Sequence, residues 1–94
     1  KWLADRAGKA TGILLARHGA IVTGATIEDA CYRAVTFERM CRFTYDVLQA
    51  GRMPVEIAPP ERSALKAALL QNAPRVYWEG AVRQLLAREP EALE

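Results

Sequence analysis

Two apolar runs of four residues, Ile13-Leu14-Leu15-Ala16 and Ala20-Ile21-Val22-Thr23, are separated only by Arg17-His18-Gly19. After Gly24 comes a stretch from Thr26 to Ala50 that contains neither proline nor glycine. This arrangement constrains the fold more than any other part of the chain. Short runs rich in strand formers and bounded by glycine read as buried strands, since helices need about 10 residues or more. The residues between them must turn or offset the chain, and Gly19 is suited to a positive φ there. Thr26 ahead of Ile27-Glu28-Asp29 has the pattern of an N-cap with acidic residues in the first helical turn. A helix is therefore expected from Thr26 or Ile27 to about Ala50, with Gly51 as its C-terminal stop.

Along that helix Ile27, Cys31, Ala34, Cys41, Tyr45 and Leu48 recur at helical spacing, with Ala30 and Phe37 beside them. Val35, Met40 and Val47 widen the stripe. Such coverage predicts a sheet on one side of the helix and a further element or another subunit on the other. Residues 2–7 read as the end of a helix that stops near Gly8. Arg52 to Pro60 carries three of the five prolines and reads as an extended linker. A new helix should begin near Pro60 or Glu61, where proline fits the first turn. Ser63 to Asn72 is helical in pattern, Pro74 predicts a break, and Arg75 to Arg88 forms a second amphipathic stretch before Pro90 and an acidic tail. Tyr77 and Trp78 are expected to pack against the body of the fold, although the Tyr77 hydroxyl could also serve a site.

With 94 residues, 51% of them hydrophobic and 26% charged, the chain can build one modest core and so forms one domain or part of one. No uninterrupted apolar run exceeds four residues, against the roughly 20 a membrane helix needs, so no spanning segment is expected. The formal charge is +2 with signs interspersed, which argues for a solvated surface and against nucleic acid as a partner. Cys31 and Cys41 lie ten apart on one helix, about 15 Å along its axis, and cannot bridge each other there. They read as small buried thiols in a reducing cytoplasm. The chain starts at Lys1 without methionine or the apolar core of a secretory signal, so an upstream segment is expected. Two strands make a marginal sheet, and that segment would supply the others.

Groups able to carry chemistry are few. The sequence holds no glycine-rich phosphate loop, no paired-cysteine zinc spacing and no nucleophile elbow. Glu28 and Asp29 are adjacent, point about 100° apart on a helix, and read as first-turn residues. His18 is the one histidine. A single histidine cannot make a metal site and at a strand end is ordinarily a hydrogen-bonded turn residue. A glycine-flanked corner, however, would hold its side chain rigidly at the mouth of a sheet.

The combination Leu14-Leu15-Ala16-Arg17-His18-Gly19, Ala20-Ile21-Val22-Thr23-Gly24 and Thr26-Ile27-Glu28-Asp29-Ala30 resembles the class II aldolase/adducin family. That family carries L-L-x-N-H-G, a short apolar strand, a glycine, and T-x-E-E-A at the start of a long helix. The likeness covers about residues 2 to 50, and Tyr77-Trp78-Glu79 is similar to the family's C-terminal region. It implies an α/β/α sandwich of which residues 1–94, as the C-terminal part of a single domain, supply about two strands and the C-terminal helices. It also implies that His18 is one of three histidine ligands to a divalent metal, zinc first, with iron or manganese as alternatives. The other two ligands, an H-x-H pair, the catalytic glutamate and the substrate-phosphate loops would lie upstream. Arg17 departs from the commoner asparagine. The activity implied is that of a cytoplasmic lyase, often tetrameric, cleaving a C–C bond of a hydroxy-keto or sugar-phosphate-like small molecule through a metal-stabilised enolate or enediolate. A decarboxylase, a non-haem iron oxygenase, and a non-catalytic adducin-like interaction domain are the alternatives on the same scaffold.

Overall fold

The computed structural model describes residues 2–93. In chain order it contains α1 (Trp2–Ala7), β1 (Gly12–Leu15), β2 (Gly19–Val22), α2 (Ile27–Gln49), α3 (Pro59–Arg88) and a single 3-10 turn, Pro90–Leu93. The two strands and the helices form part of an α/β arrangement. None of the helices among the described residues is long and apolar enough to cross a membrane.

The strands pair antiparallel, with Gly12 opposite Val22 and Leu15 opposite Gly19. Both begin one residue earlier than their apolar runs suggest, because pairing draws Gly12 and Gly19 into the ladder and leaves Ala16, Arg17 and His18 as a three-residue turn. At the open end, the Thr23 amide donates to the Thr11 carbonyl at 2.9 Å, continuing the ladder by one rung. The expectation of buried strands is corrected. Leu14 is 69% exposed, and Ile13, Leu15, Ile21 and Val22 are half-buried.

Helix α2 starts and stops where its sequence directs. The Thr26 hydroxyl accepts from the Asp29 amide at 3.1 Å, satisfying one of the free donors of the first turn, which also holds Glu28 and Asp29. At the other end Gly51 takes φ +74°, its amide donates to the Leu48 carbonyl at 3.0 Å, and the Arg52 amide donates to Val47 at 3.1 Å. This pair of bonds is the glycine-terminated Schellman closure. Arg33 donates from Nη1 to the Thr23 carbonyl at 3.0 Å, fastening the helix to the end of β2.

The break expected at Pro74 does not occur, and α3 runs through it from Pro59 to Arg88. Proline removes the bond to the Leu70 carbonyl and crowds it, at a cost of about 3 kcal/mol. Packing offsets that cost: Pro74 is buried, and one turn further on Tyr77 meets Tyr32 of α2 edge-on, with ring centroids 6.1 Å apart. The linker before α3 is free of regular structure from Arg52 to Ala58, as its prolines require.

Among the described residues no hydrophobic side chain is fully buried, and Phe43 and Tyr45 on α2 are 64% and 62% exposed. The chain has an accessible surface of 8190 Å², where a folded chain of this size is expected to keep about 5,400 Å². Its radius of gyration is 16.2 Å, against about 12 Å for a compact fold of this length. The apolar breadth of α2 is therefore only partly used by the contacts with β2 and α3.

The turn between β2 and α2 leaves no room for a side chain at Gly24: a Cβ there would stand 2.5 Å from the Ala30 amide nitrogen and 2.9 Å from the Asp29 Cβ. Gly24→Ala is expected to destabilise the protein by about 1–3 kcal/mol. Gly80, inside α3 with open space at its Cβ position, should respond oppositely, Gly80→Ala stabilising by about 0.5–1 kcal/mol. Thermal unfolding of the intact protein and its two variants measures both signs.

Candidate functional site

The hairpin lies over the first half of α2, and the space between its turn and the helix is an open groove of about 790 Å³. Leu14 and Leu15 form one wall, and Ala30, Ala34 and Phe37 form the other. Arg17, His18, Glu38 and Cys41 provide the polar positions. The helical wall follows the 3.6-residue period, residues 30, 34, 37, 38 and 41 sharing one face of α2.

His18 is exposed at the end of the hairpin turn, and its amide donates to the Leu15 carbonyl at 3.2 Å. The positive φ expected at Gly19 is present at +156°, but the left-handed residue of this turn is Arg17, at φ +58°. A non-glycine residue in that region is strained by contact between its Cβ and the following carbonyl, at roughly 1–2 kcal/mol. The turn accepts that strain because the Leu15–Gly19 pairing leaves three residues to reverse the chain.

Glu38 is engaged by Arg42, one turn along α2, in an exposed ion pair. Cys41 corrects the expectation of a buried thiol. It is exposed and faces the groove, while Cys31 is half-buried, because the hairpin covers only the N-terminal part of the helix. Sequence reasoning did not anticipate Glu38 and Cys41 as neighbours of the His18 turn. Their spacing relative to Ala34 and Phe37 held the signal, but the position of the hairpin over that face was needed to read it. Tyr77 lies against Tyr32, in a packing role, and does not line this groove.

No three potential metal-ligating side chains converge among the described residues. The donor set fits one position of a metal site, through the accessible imidazole of His18, and does not by itself complete a coordination shell.

A family model described as Class II Aldolase and Adducin N-terminal domain matches residues 2–45. The match runs from α1 through the hairpin and most of α2, so it includes His18 and the groove, whereas Tyr77-Trp78-Glu79 lies beyond it. No curated protein and no solved structure matches the chain.

The left-handed conformation of residue 17 gives a physical reason for asparagine at that place in the family pattern, since Asn tolerates αL better than other non-glycine residues. Arg17→Asn should stabilise the protein by about 0.5–1 kcal/mol, whereas the β-branched Arg17→Val should destabilise it by a similar amount. Denaturant midpoints for the two variants check the opposite signs.

Proposed function

We propose that this chain, whose residues 2–45 match the class II aldolase/adducin family model, forms part of a metal-dependent lyase in which His18 ligates a divalent cation. The observation that carries this reading is the placement of the chain's one histidine, exposed at a turn pinned by the Leu15 carbonyl and facing a groove, inside the stretch that matches the family. Zinc suits an imidazole site with an open position, and manganese or iron are the alternatives. Bound there, the cation would supply Lewis-acid stabilisation of negative charge on a substrate oxygen. The substrate class is a hydroxy-keto or sugar-phosphate-like small molecule, and the reaction is cleavage of a C–C bond.

In this reading residues 1–94 are the C-terminal part of one domain, and the H-x-H pair, the proton-transferring carboxylate and the remaining strands of an α/β/α sandwich come from residues outside this sequence. The open edges of the hairpin and the exposed Leu14, Phe43 and Tyr45 support that arrangement, because they are apolar surfaces and strand edges without cover in the described chain. Assembly as a tetramer in the cytoplasm belongs to the same proposal. Within it, Leu15 and Gly19 fix the height of the turn and Arg17 sets the direction in which the chain presents His18. The pairing of Glu38 with Arg42 balances the negative charge at the edge of the groove.

Elemental analysis of the intact protein, at a mass determined on the same preparation, should find close to one divalent metal ion per chain. His18→Ala is expected to reduce that occupancy at least tenfold with an unchanged far-ultraviolet circular dichroism spectrum. Equal metal content in the variant refutes His18 as a ligand, and metal-free protein of full mass favours the non-catalytic, adducin-like alternative.

A further inference from the structure

The face of α2 next to the His18 groove carries a second concavity, about 680 Å³ in volume, between α2, the first half of α3 and the open end of the hairpin. We propose that it binds a small amphipathic anion, an aliphatic carboxylate of medium chain length, with the tail between the helices and the carboxylate at their basic rim. This assignment does not depend on the lyase reading.

Two features point to that ligand chemistry. The first is the apolar wall. Phe37 and Met40 from α2 oppose Leu65 and Leu69 from α3, one helical turn apart and 50% and 54% exposed. Apolar side chains left this open across a concave surface of ligand size are suited to an aliphatic tail. The second is charge. Arg33, Arg62 and Lys66 line the same concavity, and no acidic residue does.

Among the described residues none of these three cations forms an ion pair. Arg33 uses Nη1 on the Thr23 carbonyl, which fixes its guanidinium and leaves other N–H donors for an anion. Arg62 and Lys66 are neighbours at i and i+4 on α3, a like-charge pair that an anionic group between them would relieve. Charge-assisted hydrogen bonds from a guanidinium to a carboxylate are the strong, directional kind. Ile57 of the linker borders the concavity, as do Gly12 and Val22 of the hairpin. A volume of about 680 Å³ suits a small ligand with a short tail better than an extended peptide running through.

Isothermal titration of the intact protein with decanoate and with decanol, both below their aggregation concentrations and at low salt, tests the proposal. Decanoate is expected to bind saturably, one per chain, and at least tenfold more tightly than decanol. The double variant Arg62→Ala/Lys66→Ala, altered only at exposed helical positions, should weaken decanoate about tenfold and leave decanol unchanged. Leu69→Asp should abolish binding of both, with helicity checked by circular dichroism. The assignment is overturned if decanoate does not bind, if both ligands bind equally, or if the double variant keeps full affinity. It is equally overturned if the wild-type protein excludes decanoate and Leu69→Asp lowers its oligomeric state, since the concavity is then an interface between copies of this chain.

Discussion

The passage from β2 into α2 depends on a contact that only glycine permits. Gly24 lies against the backbone of Ala30, so close that a methyl group would overlap the amide. The chain can turn there because Gly24 adds no bulk, and the turn delivers Thr26 to the N-cap position, where its hydroxyl meets the Asp29 amide. Arg33, one further turn along, reaches back to the Thr23 carbonyl. Steric permission, a cap and a side-chain tether thus act within ten residues, fixing the angle between hairpin and helix. Both grooves inherit their shape from that angle.

The ends of α2 were legible in the sequence because local chemistry decides them. A threonine with acidic residues behind it starts a helix, and a glycine able to adopt positive φ stops one, whatever lies further away. The hairpin was legible as two strands and a corner, but its register was not. Which residue of Arg17-His18-Gly19 would carry the left-handed conformation depends on whether Leu15 pairs with Gly19, and pairing is a property of two strands together. Pro74 illustrates the opposite balance. Its local preference is to end a helix, and packing of α3 on α2, through Tyr32 and Tyr77, overrides it.

His18 was legible as a candidate because it is the one histidine and stands at a glycine-bounded corner. The groove it faces was not, since Glu38 and Cys41 come to it from twenty and more residues away through the docking of the hairpin. The apolar stripe on α2 gave a correct account of which residues share a face but too generous an account of burial. Amphipathic spacing specifies what a helix can cover. How much is covered depends on the surfaces that meet it, and those of β2 and α3 leave Phe43 and Tyr45 in solvent.

The two concavities meet along α2, where Phe37 contributes to both, and at the hairpin, where Val22 does the same. A side chain shared in this way enters the shape of both, so the two are not independent surfaces. Phe37 is half-buried, and Val22 sits beside the Thr23 carbonyl that anchors Arg33. Because Nη1 is held on that carbonyl, an anion in the second concavity would meet the remaining N–H donors of Arg33 with the anchor in place. The hydrogen bond from Arg33 to Thr23 thus ties the hairpin that carries His18 to the helix that carries the second concavity.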